Sequence, residues 1–156
     1  MSIAPLAELS YQAAIRSLDL QERGVEQLRA RTGTLLAASS LTASFLGAQA
    51  IQRNGIGPLG VLALVSLAAS VALCIYVLLP KSDLVFDIEP SRMYESLLYT
   101  ATDESDIRRR LIYWLDSFWQ ANQGTIDALG RYYVAAAIAL LLQLAFWSSA
   151  LAASIS

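Results

Sequence analysis

Three stretches of this chain carry no charged side chain, Thr32 to Gln52, Asn54 to Pro80 and Tyr132 to Ser156, of 21, 27 and 25 residues. Each is rich in Leu, Ala, Val and Ile. At ~1.5 Å of rise per residue, a helix of the shortest stretch reaches ~31 Å, about the thickness of a bilayer's hydrocarbon core. A helix of a water-soluble domain keeps one wet face and is seldom free of charge over such a length. The expected fold class is therefore an all-α integral membrane protein with three transmembrane helices. Hydrophobic residues at 56% and charged residues at 15% agree with this, since soluble domains run near ~45–50% and ~25%.

The expected organisation has four parts. Residues 1–31 form a cytoplasmic amphipathic helix continuous with the first span. Residues 32–80 form a transmembrane hairpin with spans at about 33–52 and 58–80. Residues 81–131 form a small helical cytoplasmic segment, and residues 132–154 the third transmembrane helix. In the first part Tyr11, Ala14, Leu18, Val25 and Leu28 recur at heptad-like spacing, with Gln21 the one polar interruption and Thr32 and Leu35 continuing the pattern. No proline interrupts Ala7 to Ile51, and Gly24 and Gly33 are the soft points. Gln52 to Pro58 reads as a tight polar turn with Pro58 opening the next helix. Leu84 to Ile88 reads as a short strand or an extended connector. Pro90 begins a helix to about Thr100. Thr102 to Ser105 caps a longer one whose apolar face includes Ile107, Leu111, Trp114, Leu115, Phe118, Ile126 and Leu129, and which runs on through Arg131 into the third span.

Orientation follows from Lys and Arg beside the spans. Residues 1–31 and 81–131 together hold ten of them, and the 52–57 turn holds only Arg53. Cytoplasmic loops carry the excess of positive charge, so the N-terminus and the central segment are expected inside and the C-terminus outside. Glu8, Arg16, Asp19 and Glu22 interrupt the N-terminal region, which is expected to stay in place rather than be cleaved as a signal peptide.

The chemistry on offer is narrow. There is no His, and the lone Cys74 lies inside the second apolar stretch, which removes disulfide frameworks, zinc clusters and imidazole chemistry. No phosphate-binding glycine loop, nucleophile–base pair or intramembrane carboxylate pair is present, so no enzymatic activity, metal site or cofactor is expected. With a net charge of −2 and no basic tail, nothing points to a nucleic acid polymer, and none is expected as partner. Two sets of residues remain. Ser40, Ser44 and Ala48, then Ser66 and Ser70, then Ala145, Ser149 and Ala153 put small side chains at four-residue spacing along the spans. They serve either close helix packing or the lining of a pore, with Gln49 and Gln143 the most polar groups at membrane depth. In the central segment Arg92, Arg108, Arg109 and Arg110 lie near Tyr94, Tyr99, Tyr113, Trp114 and Trp119. They are suited either to gripping a phosphate while an aromatic ring stacks on a base, or to ion pairs and headgroup contacts.

Arg29-Ala30-Arg31-Thr32-Gly33-Thr34-Leu35-Leu36-Ala37-Ala38 leads a cytoplasmic helix into span one. A hairpin ends at Leu78-Leu79-Pro80, Val85-Phe86-Asp87-Ile88 follows, and Arg131-Tyr132-Tyr133 enters the last span. This layout resembles the transmembrane effectors of the pyrimidine-cyclase antiphage (Pycsar) system and, more distantly, SLATT membrane effectors. The resemblance implies an oligomeric protein of the bacterial inner membrane that perturbs or permeabilises the bilayer in antiviral defence when a cyclic mononucleotide reaches its cytoplasmic part. Its partners would be the lipid bilayer, further copies of itself and that nucleotide. The alternative is a small membrane scaffold or accessory subunit of a larger complex, without a ligand.

Overall fold

The computed structural model describes residues 3–82, 84, 86 and 104–153, and among these the only regular structure is helical. Helix α1 spans Ile3–Thr42, a π-helical turn follows at Ala43–Gly47, and α2 runs Ala48–Asn54. Helix α3 spans Pro58–Leu78 and α4 spans Glu104–Ala153. Three helical stretches, Glu8–Arg53, Pro58–Leu78 and Asp106–Ala153, are long and apolar enough to cross a membrane.

The expected helix through Gly24 and Gly33 is present, and both glycines sit inside α1 without a break. The polar turn is also present but tighter than its sequence suggests. The chain turns at Gly55, whose φ of 67° is open to glycine at little cost, and Pro58 takes the first position of α3, where its missing N–H is no loss. The 50-residue α4 carries the central segment straight into the third apolar stretch through Gly124 and Gly130. The connector at Leu84 to Ile88 and the helix expected from Pro90 to Thr100 fall largely or wholly outside the described residues.

By internal contacts the chain divides into two compact units. One comprises Met1–Glu26 and Lys81–Asp127, the other Gln27–Pro80 and Ala128–Ser156. These divisions lie at 26/27 and 127/128, against 31/32 and 131/132 in the sequence-derived organisation.

In the first unit Leu18 and Val25 of α1, and Leu111, Leu115 and Asn122 of α4, are buried. Gln21, on the same stripe, is a cross-link: its Nε2 donates to the Trp119 carbonyl at 3.2 Å and to Gln123 Oε1 at 3.0 Å. In the second unit the buried positions of α3 (Gly60, Ala63, Ser70, Cys74 and Val77) alternate steps of three, four and seven. That spacing is what a coiled-coil seam requires. Leu129, Ala136 and Gln143 of α4 repeat every seven residues, as do Thr32 and Ser39 of α1.

The π-helical turn interrupts this repeat with a purpose legible in the packing. After Ser39 the next fully buried position is Gly47, eight residues on rather than seven. One extra residue in the turn rotates the chain so that Gly47 rather than Leu46 takes the inward place. Trp147, 1% exposed, fills the space this leaves. A Cβ on Gly47 would stand 3.1 Å from Trp147 Cζ2, and one on Gly60 3.7 Å from Trp147 Cζ3. Ala50, Ala63 and Trp147 form the apolar centre here, with Leu46, Phe146, Ala150 and Leu151 against it.

Outside these seams the apolar stretches are exposed. Leu41, Phe45, Val61, Leu62, Val65, Ile75, Val134, Ile138, Leu141 and Leu142 all present large hydrophobic surface. Between 17 and 28% of each apolar window is buried within the chain, so most of that surface has no protein to cover it.

Candidate functional site

Two clusters hold the polar chemistry, one in each unit. In the first unit Ala14 and Ser17 of α1 are small, and a groove of about 330 Å³ opens where they face Ile112, Tyr113, Asp116 and Trp119 of α4. Its polar side chains are those of Ser17, Tyr113, Asp116 and Trp119; among the described residues no cation belongs to the lining. Asp116 also accepts a hydrogen bond from Gln120 Nε2 at 2.8 Å. Trp114 lies outside the lining and stacks on Phe118, with ring centroids 5.4 Å apart.

The arginines expected to grip a phosphate are engaged elsewhere. Arg108 pairs with Glu8 of α1. Arg109 and Arg110 share the Asp106 carboxylate, at 2.8 and 3.1 Å. The hydrogen bonds from Arg110 and then Arg109 hold that carboxyl below the ordinary aspartate range. Arg92, Tyr94 and Tyr99 lie outside the described residues.

In the second unit a polar layer crosses the seam of α1, α3 and α4. Ser70 Oγ donates to the Ala136 carbonyl at 3.2 Å and stands 3.2 Å from Ser39 Oγ. A hydroxyl has one proton, so with Ser70 donating to Ala136 it is Ser39 that donates to Ser70. Gln143 Nε2 closes the layer by donating to the Ser39 carbonyl at 3.0 Å. All three side chains are fully buried. Two buried atoms beside this layer have no hydrogen-bond partner, Gln143 Oε1 and, one turn further along α4, Trp147 Nε1.

Of the residues singled out on small-residue spacing, the structure brings only Ser70 and Gln143 together. Ser40 and Ser44 are exposed, and each hydroxyl donates back to its own helix, to the Leu36 carbonyl at 3.0 Å and the Ser40 carbonyl at 2.9 Å. Ser66 does the same to Leu62 at 2.9 Å. Gln49, Ala48, Ala145, Ser149 and Ala153 are exposed. Within one chain this edge of α1 is thus an outer face. Sequence reasoning passed over Ser39 and Trp147. Ser39 had a signal, since it lies two heptads beyond Val25 on the stripe that Leu18 begins. Trp147 had none, because its place depends on the extra residue in the π-helical turn.

Comparison with protein-family models, with curated proteins and with solved structures finds no match to this chain.

Proposed function

We propose that the chain is a three-span protein of the bacterial inner membrane, with residues 1–31 and 81–131 cytoplasmic and the C-terminus outside. In this reading it is not an enzyme. It acts as an oligomeric effector that perturbs or permeabilises the bilayer in antiviral defence, triggered by a cyclic mononucleotide. The observation that carries the membrane reading is the exposed apolar surface from Leu41 and Phe45 through Val65 and Ile75 to Leu141 and Leu142. In water that surface, at ~25 cal/mol per Å², would drive aggregation; in lipid it costs nothing. Oligomerisation is supported by Gln49, an exposed amide on an otherwise apolar helix, and by the small exposed side chains of Ser40 and Ser44, which let a neighbouring helix approach closely. A second copy or a shared lumen is what such a face needs in hydrocarbon. The trigger and the defence role are supported by the Pycsar-like layout.

A second reading has its own observation. Arg108, Arg109 and Arg110 each have a carboxylate partner, and among the described residues no cation lines the groove beside Trp119. Those are properties of a scaffold whose cytoplasmic helices are held by ion pairs and take no anionic ligand.

Reporter fusions at the two termini test the topology, with a cytoplasm-active reporter expected to work at the N-terminus and a periplasm-active one at the C-terminus. Dye release from proteoliposomes, with and without cyclic mononucleotides, tests the effector reading. Nucleotide-dependent release supports it. Intact vesicles under every nucleotide, together with native cross-linking to a second polypeptide, establish the scaffold instead.

A further inference from the structure

The hydrogen bonds of the polar layer fix the heights of the three helices against one another within the second unit. On α4 the layer runs from Ala136 to Gln143, seven residues or about 10 Å along the helix, so its centre falls near Ala139, facing Ser39 and Ser70. Arg29 and Arg31 stand ten and eight residues before Ser39, and Arg131 eight residues before Ala139. At ~1.5 Å per residue these are about 15, 12 and 12 Å from the centre of the layer, all toward the same end. Tyr76 of α3 and Tyr132 of α4 meet near that end with ring centroids 4.6 Å apart. A hydrocarbon half-thickness is ~15 Å. With the Ser39–Gln143 layer at the bilayer midplane, the three arginines therefore reach the inner headgroup boundary, where tyrosine rings also favour residence.

These arginines lack the ion pairs that most of the described arginines of the first unit have. Among the five arginines described in the first unit, Arg23, Arg108, Arg109 and Arg110 are ion-paired and Arg16 is the exception. The second unit contains no Asp or Glu at all. Among the described residues none of Arg29, Arg31 and Arg131 has a carboxylate within 4.0 Å, although Asp127 lies four residues before Arg131. Arg31 and Arg131 are exposed, and the Nε–H of Arg29 is buried without an acceptor. Three guanidiniums at one level, one with an orphaned donor, form a cationic collar suited to phosphate oxygens, because the planar fork of Arg matches them in geometry as well as charge.

We infer that this end of the three-helix unit is a collar that binds the phosphates of anionic phospholipid headgroups, through Arg29, Arg31 and Arg131 on its different faces. The inference rests on the membrane reading and goes beyond it, since a three-span protein has no need to prefer one lipid. The occupant is a lipid rather than a free anion, because the collar borders uninterrupted apolar surface that acyl chains would cover.

Native mass spectrometry of the full chain released from detergent, mixed with phosphatidylglycerol or phosphatidylcholine, tests the inference. Phosphatidylglycerol adducts should dominate, and each Arg→Gln change at 29, 31 or 131 should weaken them by about fivefold. The charge-keeping variant R29K/R31K/R131K should retain most of the preference, and R16Q/R53Q all of it; circular dichroism confirms that each variant is folded. Equal binding of the two lipids, or no loss in R29Q/R31Q/R131Q, overturns the inference. So does displacement of the lipid by millimolar inorganic phosphate or cyclic mononucleotide, which would mark a site for a soluble anion. The membrane reading fails separately, if alkaline carbonate strips the chain from membranes.

Discussion

Replacing Gln143 by Met removes two things of opposite sign. The wild-type side chain donates one hydrogen bond to the Ser39 carbonyl and buries one carbonyl oxygen, Oε1, that accepts none. Hydrogen bonds between helices in membranes average about 0.6 kcal/mol and reach about 1.7. A buried polar atom left without a partner costs about 1–3 kcal/mol. Met matches Gln in length and unbranched shape, so the seam should close around it with little strain. The balance favours the variant. Q143M should be as stable as the wild type or more stable by up to about 2 kcal/mol, despite losing an interhelical bond. Unfolding by a denaturing detergent in mixed micelles, followed by far-ultraviolet circular dichroism, measures the difference. Tryptophan fluorescence is unsuitable, since Trp147 lies one turn away. Destabilisation by more than about 1 kcal/mol would refute the reasoning, because it would mean that Oε1 has a partner, either an ordered water or a group from another copy. Ser70→Ala is the matched contrast. Both contacts of this hydroxyl are made, so its loss should cost about 1 kcal/mol and leave Ser39 without an acceptor.

Other outcomes follow from the same geometry. Gly47→Ala puts a Cβ 3.1 Å from the Trp147 ring; the overpacking cost of about 1–3 kcal/mol should exceed the ~1 kcal/mol helix gain, and Trp147→Phe should relieve it in a double-mutant cycle. For Asp106 the folded carboxyl lies below its unfolded value because Arg110 and Arg109 hold the charged form. Its contribution is therefore complete above the ordinary aspartate range and lost as pH falls through the depressed value. Thermal scans across acid pH should show a fall in wild type that is shallower in D106N, and parallel curves would contradict this. Reversing the partly exposed Arg108–Glu8 pair should cost up to about 1 kcal/mol for R108E alone, with E8R/R108E recovering part of it.

The helices were legible in the sequence because their cause is local. Absence of charge over Thr32–Gln52, Asn54–Pro80 and Tyr132–Ser156 sets the length of each apolar rod, and Pro58 with Gly55 sets the turn between two of them. The stripe of Leu18, Val25 and Thr32 announced one buried seam. Which polar groups enter the seams was not legible. Ser39 and Ser40 are neighbours of the same type, yet one is fully buried in the polar layer and the other exposed on an outer face. Their roles differ by ~100° of helix rotation, and only the partner helices define which direction is inward. The same holds for Arg108 to Arg110, whose fate depended on Glu8, a hundred residues away, and on Asp106.

The sequence by itself determined that the chain forms long apolar helices with charged residues beyond their ends, because charge, length and helical rise are properties of a segment alone. The tertiary structure decided that Ser39, Ser70 and Gln143 meet, that one extra residue in the turn at Ala43–Gly47 admits Trp147, and that Arg29, Arg31 and Arg131 stand at one level without carboxylates. Those facts depend on the register between helices, which is set by contacts among residues thirty to a hundred positions apart.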